Sequence, residues 1–271
     1  MLSKPTVSVK WLQENSSNAK LIILDASTSV HQDKEDKRLI PNSLNISLKE
    51  DFSDVSSDLP NTFPTIEQFE NSCIKLGINA DSTIIIYDDK GVYTSPRLWW
   101  LFKTFGHSNV AVLDGGLPEW IKLEGETALV YSEPEKVGDF TPTLNKSAVL
   151  TYEDVLTNSG SSDKKLLDAR SKGRFDGVAP EPRASLSSGS IPQSYNLPFS
   201  EVLENGKFKS EEDLDIIFKG LVNPEEQLIF SCGSGITACI ILLAAELVLP
   251  NEKSVFDGSW TEWAIRQELL S

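Results

Sequence analysis

The sequence predicts an α/β fold built twice: two tandem domains, each a parallel sheet flanked by helices on both faces. Three observations carry this. Short apolar runs alternate with helix-patterned stretches, the mark of a parallel sheet covered on both sides. The same motifs return in the same order along the chain. With 271 residues the chain exceeds the usual size of one domain, and 39% hydrophobic residues suffice for two cores.

The repeat rests on four anchors. "LIILDAS" (21–27) resembles "KLLDARS" (165–171), so that Asp25 aligns with Asp168, 143 residues on. "LDGGLPEW" (113–120) resembles "FDGSWTEW" (256–263) at the same offset. Between them, "IPNSLNISL" (40–48) matches "IPQSYNLPF" (191–199), and "IIIYDDKGVYTSPRLWW" (84–100) lies against "LIFSCGSGITACIILLA" (228–244). The offset widens to 151 at the first of these pairs and is 144 at the second, which locates an eight-residue insertion in the second copy.

The elements of the second copy follow in order. "KLLDA" reads as a strand, "EEDLDIIFKGL" as a helix, "QLIFS" as a buried strand and "ACIILLAAELVL" as a helix. "SVF" reads as a short strand and "WTEWAIRQELL" as a closing helix. The segment "EPEKVGDFTPTLNKSA" (133–148) carries prolines and charge without periodicity and marks the junction. The expected division is a first domain over 1–140, a linker at 141–150 and a second domain over 151–271.

Forty acids against 25 bases give a net charge of −15, which repels phosphate backbones and anionic lipid, so neither nucleic acid nor membrane is an expected partner. The apolar run at Ile240–Ala245 is far shorter than the roughly 20 residues a bilayer requires. The opening "MLSKPTVSVKWL" lacks the apolar core of a signal peptide. Three cysteines, Cys73, Cys232 and Cys239, imply no disulfide framework, and a reducing, cytoplasmic setting is expected. No metal or cofactor is expected. The two histidines, His31 and His107, both fall in the first copy, and zinc-spaced cysteine pairs, a P-loop and a dinucleotide fingerprint are all missing. His107 is read as a capping or surface residue at a helix end, and Cys239 as packed core.

Ligands of an open parallel sheet bind beyond the carboxyl ends of its strands, and Cys232 occupies such a place. It follows "QLIFS" and precedes a helix starting near Thr237 or Ala238. Gly233 and Gly235 admit backbone torsions that let successive N–H groups curl around an anion, a nest reinforced by the helix N-terminus. A cysteine there is favoured as thiolate and serves as a nucleophile. In the first copy Asp88 stands at the matching position, so that copy retains the scaffold without the nucleophile. The insertion, within "DARSKGRFDGVAPEPRASLSSGS", follows a neighbouring strand end. From Lys164 to Arg183 it holds six bases and three acids. Arg174 and Arg183 bracket its proline-stiffened loop and suit recognition of a carboxylate or oxyanion.

The loop "CGSGITA" (232–238), the upstream "DARSKGRFDGVAPEPR" (168–183), "IPQSYNLPF" and the first copy's "YDD…RLWW…FGH…VLDGGLPEW" resemble the tandem-domain rhodanese family, and within it the 3-mercaptopyruvate sulfurtransferases. The resemblance runs from about Val7 to Trp263. It implies two rhodanese-like domains, the first without a nucleophile. It further implies that Cys232 accepts sulfur as a persulfide and that Arg174 and Arg183 hold the carboxylate and keto oxygens of the substrate. Ser234 lies near the substrate in that scheme, and Gly233, Gly235, Ile236 and Thr237 surround the sulfur with N–H groups. The donor would be 3-mercaptopyruvate, with thiosulfate the alternative, and the acceptor a small thiol, a thioredoxin-like protein or cyanide. Relatives acting on thiosulfate carry charged residues after the cysteine, where this chain has Gly233 and Ser234. The chain departs from the family at "GSIPQS" (189–194), at "RLIPNS" (38–43) and at Ser47, where an Asp is frequent. No His or Asp is evident that would complete a proton relay through Ser234. Phosphatase chemistry would require Cys-x5-Arg, and the corresponding residue is Ala238. A sulfur carrier without catalysis is the remaining class, and it leaves the two arginines without a purpose.

Overall fold

Two five-stranded parallel sheets organise the chain in the computed structural model, which describes residues 2–28, 38–161 and 163–268. His31 lies outside the described residues. Contacts divide the chain into two units. The first comprises 1–55, 63–144 and 205–208; the second comprises 56–62, 145–204 and 209–271.

In the first unit β1 (Thr6–Val7), β2 (Leu21–Asp25), β3 (Ser43–Asn45), β4 (Thr83–Tyr87) and β5 (Val110–Leu113) pair in the order β1-β5-β4-β2-β3. Its helices are α1 (Val9–Asn15), α2 (Leu48–Asp51), α3 (Ile66–Lys75), α4 (Ser95–Thr104) and α5 (Gly116–Lys122). α1 and α5 bury Leu12, Leu117 and Trp120 against Ile23, Ile85 and Leu113 on one face. On the other, α3 and α4 bring Phe69, Phe102 and Phe105 into one aromatic cluster with Phe52. Each fully buried Phe or Leu contributes roughly 1.5–3 kcal/mol.

The second unit repeats this plan. β6 (Val149–Leu150), β7 (Lys165–Asp168), β8 (Ser194–Asn196), β11 (Leu228–Ser231) and β12 (Lys253–Phe256) pair in the order β6-β12-β11-β7-β8. The short strands β9 (Leu203–Glu204) and β10 (Lys207–Phe208) are adjacent in sequence, on either side of a division between units. The helices are α6 (Tyr152–Ser161), α7 (Lys172–Phe175), α8 (Glu211–Lys219), α9 (Ala238–Val248) and α10 (Ser259–Glu268). α6 and α10 cover one face through Val155, Trp260 and Trp263. α9, buried without interruption from Ala238 to Ala245, lies against β11 and β12 on the other. A helix apolar all round belongs in an interior, and this one is enclosed by its sheet and α8.

The six elements read from the second copy stand where the periodicity puts them. The sequence reading passed over β6 and β8, strands of two and three residues that are too short for any alternation to register. His107 is corrected. It is 2% exposed rather than on the surface, its ring set against Phe102 and Phe140. Only its backbone caps: the N–H closes the end of α4 onto the carbonyl of Phe102 at 2.8 Å, helped by Gly106 at φ 91°. No helix among the described residues is long and apolar enough to cross a membrane.

Candidate active site

Strand register brings the candidate residues together. Ser231 at the end of β11 is paired with Asp168 at the end of β7, so the loops that follow, from Cys232 and from Ala169, leave the sheet side by side. Cys232 is 1% exposed. Its Sγ accepts a hydrogen bond from the Gly235 N–H at 3.1 Å. That turn requires φ 81° at Gly235, a left-handed torsion that a side chain would resist.

The carbonyls of the loop are held from outside it. Trp260 N–H donates to the Cys232 carbonyl at 2.9 Å, and Thr261 donates to the Gly233 carbonyl through both its N–H, at 3.1 Å, and its hydroxyl, at 2.6 Å. Asn61 Nδ2 donates to the Ser234 carbonyl at 3.0 Å and to the Ser234 hydroxyl at 3.3 Å. The backbone N–H groups of Ser234, Ile236 and Thr237 donate to no described residue. A loop with engaged carbonyls and free N–H groups is a nest for an anion. Ser259 completes it: its hydroxyl accepts from the N–H of Cys232 at 3.3 Å and of Gly235 at 3.1 Å, and donates to the Phe256 carbonyl at 3.0 Å. Ser259 sits at φ 51°, and its counterpart in the first copy is Gly116 at φ 50°.

The first copy shows what the nest holds. Asp88 aims its Oδ2 at the N–H groups of Tyr93, Thr94 and Ser95, at 2.8, 3.0 and 3.0 Å, and at the Ser95 hydroxyl at 2.6 Å; Oδ1 accepts from the Lys90 N–H at 2.9 Å. The chain's own carboxylate fills the cradle there. In the second copy the cradle encloses a sulfur atom instead.

Arg174, on α7, approaches the loop at Gly233. A Cβ added to Gly233 would lie 2.6 Å from its Nη2. Its guanidinium is tethered by Glu181, which accepts from Nε at 3.1 Å with each oxygen and also from Nη2. Glu181 in turn accepts from Arg170 Nη1 at 2.9 Å. Arg170 is fully buried. It clasps Asp168 through Nε and Nη2, donates to the Gly189 carbonyl at 2.7 Å and stacks 4.4 Å over the Trp260 ring. Two guanidiniums and two carboxylates thus form a charge-balanced chain, buried at Asp168, Arg170 and Glu181 and half-buried at Arg174. Arg183 is exposed and forms no ion pair with a described residue.

Ser234, Ile236 and Thr237 are half-buried in the loop, and α9 begins at Ala238 with Thr237 as N-cap. Cys239 is fully buried, its thiol directed to the Gly235 carbonyl at 3.6 Å. Cys73, Cys232 and Cys239 are buried thiols outside any disulfide. Sequence reasoning missed Asn61, Arg170, Glu181 and Ser259 as parts of this arrangement. Ser259 carried a signal, a serine aligned with a glycine; Asn61 lies 173 positions from Ser234 and carried none.

The duplicated parallel sheet, the loop at the end of its central strand and the anion nest define a class of protein. The rhodanese-like domain model matches residues 8–123 and again 151–266, and the chain belongs to the rhodanese family in its tandem form. It is 36% identical over 275 residues to the 3-mercaptopyruvate sulfurtransferase of Escherichia coli, covering 97% of this chain and 96% of that protein. It is 39% identical over 279 residues to the thiosulfate sulfurtransferase of Rattus norvegicus, covering 97% and 93%. The solved structure of SseA from Escherichia coli, a 3-mercaptopyruvate sulfotransferase, matches with a TM-score of 0.82 at 33% identity, over 95% of this chain and 99% of that one. The chain is thus a sulfurtransferase of the rhodanese family.

Proposed function

We propose that this sulfurtransferase takes sulfur from 3-mercaptopyruvate through a persulfide on Cys232 and hands it to a thiol or cyanide, releasing pyruvate. The observation that carries the reading is Arg174 against Gly233: the position after the nucleophile is empty of side chain, and a guanidinium fills the space. The Cys232 thiolate attacks the substrate sulfur, the C–S bond breaks, and its electron pair moves into the enolate of pyruvate. The proton carried by the transferred sulfur is released as the persulfide ionises, and the enolate carbon takes one up to give pyruvate. Arg174 and Arg183 serve the carboxylate and the developing enolate oxygen. The free N–H groups of Ser234, Ile236 and Thr237 suit the persulfide anion. An acceptor thiolate then attacks the outer sulfur and returns Cys232 as thiolate, a ping-pong cycle.

Thiosulfate is the second donor to consider, given the 39% identity to a thiosulfate sulfurtransferase. Charge balance favours the monoanionic keto acid. Arg170 and Arg174 are offset by Asp168 and Glu181, which leaves Arg183 as the uncompensated cation of the loop. Ser234 binds substrate through its hydroxyl rather than relaying a proton, since its hydrogen-bond partner is the amide of Asn61, which is no base. A small thiol or a thioredoxin-like protein fits as acceptor, and three cysteines outside any disulfide fit a reducing compartment such as the cytoplasm.

Two assays test the donor: pyruvate release from 3-mercaptopyruvate, and thiocyanate formation from thiosulfate plus cyanide. The first should be faster by kcat/KM, and the reverse ranking overturns the choice. Cys232→Ser should abolish both, and retained turnover in that variant removes the persulfide mechanism.

A further inference from the structure

The backbone hydrogen bond that reaches Cys232 Sγ, from an N–H it shares with the Ser259 hydroxyl, comes from a peptide unit gripped at its other end. A trans peptide is planar, with its C=O and N–H pointing in opposite directions. In the unit joining Ser234 to Gly235, the N–H donates to Cys232 Sγ at 3.1 Å and the C=O accepts from Asn61 Nδ2 at 3.0 Å. Fixing the carbonyl therefore fixes the direction of the N–H. We propose that Asn61 is a positioning residue for sulfur transfer, which holds the Ser234–Gly235 peptide so that its N–H faces the sulfur of Cys232.

The local structure around Asn61 fits that task. Residues 56–62 belong to the second unit although the chain on both sides of them belongs to the first. They form a turn closed on itself. The Thr62 hydroxyl donates to Ser57 Oγ at 2.8 Å and to the Leu59 carbonyl at 3.0 Å, while the Leu59 N–H donates to Ser57 Oγ at 3.1 Å. Asn61 sits at φ 55°, a left-handed torsion that asparagine tolerates better than other residues with a Cβ. The turn is built around a strained residue whose amide reaches both polar oxygens of Ser234. The same amide orients the Ser234 hydroxyl, leaving its proton to donate elsewhere.

The inference rests on Cys232 being the sulfur-accepting nucleophile, and the experiment separates the two. Asn61→Gly removes the amide while accepting the left-handed torsion. Asn61→Asp retains shape and torsion, but its carboxylate cannot donate. The rate of Cys232 alkylation by iodoacetamide is followed against pH by mass spectrometry of the Cys232 peptide, with kcat and KM for pyruvate release and the urea midpoint measured in parallel. In Asn61→Gly the midpoint of the alkylation profile should move up by about one unit, a tenfold smaller thiolate fraction below it. It should move further in Asn61→Asp, where a negative charge is added. In Asn61→Gly, kcat should fall about tenfold, as expected when an oriented donor is loosened, with KM within about twofold. An unchanged alkylation profile in folded Asn61→Gly overturns the positioning role, and so does loss of folding in both variants, which would make Asn61 a folding residue. A parent enzyme that releases pyruvate without a sulfur adduct on the Cys232 peptide refutes the nucleophile instead, whatever the alkylation profiles show.

Discussion

Gly233 gives up the space of one side chain to a guanidinium. Nothing about its torsion demands glycine; what demands it is the Arg174 guanidinium, which occupies the space where a Cβ would stand. Gly233→Ala should leave stability within about 1 kcal/mol, because the atom displaced is the flexible end of a side chain. The displaced guanidinium loses its approach to the loop, so KM for 3-mercaptopyruvate should rise about tenfold, the value of one charge-assisted hydrogen bond, while kcat changes less. Steady-state kinetics with both donors checks this; an unchanged KM would detach Arg174 from substrate binding. Cys232 was legible in the sequence because cysteine, glycines and helix start are contiguous. Arg174 was legible through its place in the insertion. Glu181 was not, since its meaning depends on Arg170 and Arg174 closing on one carboxylate, which only the fold of the 168–183 loop produces.

At the scale of the element, the two strand-end loops are alternative solutions to one problem. The helix that follows each central strand begins with N–H groups that lack intrahelical partners. In the first copy Asp88 accepts five hydrogen bonds from its own loop, which makes this a structural device and gives the carboxylate that aligns with Cys232 a purpose of its own. Asp88→Ala should therefore destabilise the protein by about 2–3 kcal/mol, the upper range for loss of a capping side chain together with unsatisfied buried donors. Urea unfolding would measure it, and a loss below about 0.5 kcal/mol would mean the N–H groups find other partners. In the second copy the N–H groups of Ser234, Ile236 and Thr237 donate to no described residue, so the loop gives up part of that stabilisation and leaves donors open to an anion. The alignment makes the substitution visible in the sequence, whereas most of the hydrogen bonds that give it sense come from residues five to seven positions further on, brought back by the turn.

Duplication made the whole molecule legible: two copies with one order of anchors predict two sheets with one strand order, and the topology is shared strand for strand. The exchanged segments 56–62 and 205–208 were not legible, because which unit a loop packs on depends on contacts that are remote in sequence. The same is true of His107, whose environment sets how global stability responds to acid. Burial of its ring between Phe102 and Phe140 disfavours the imidazolium and pulls its pKa below the ordinary value, with the Asn79 carbonyl offering only partial compensation. The unfolded chain therefore takes up this proton first as pH falls. Its contribution to stability is complete above about pH 6.5 and is lost as pH drops through the lowered native value, at up to about 1.4 kcal/mol per pH unit. Other groups also titrate in that range, so the signal is the difference between parent and His107→Gln, which removes the ionisation. Urea denaturation at pH 7.5 and pH 5.0 should give a larger drop in unfolding free energy for the parent than for the variant. Equal drops would mean that His107 takes up its proton as readily in the native protein as in the unfolded chain.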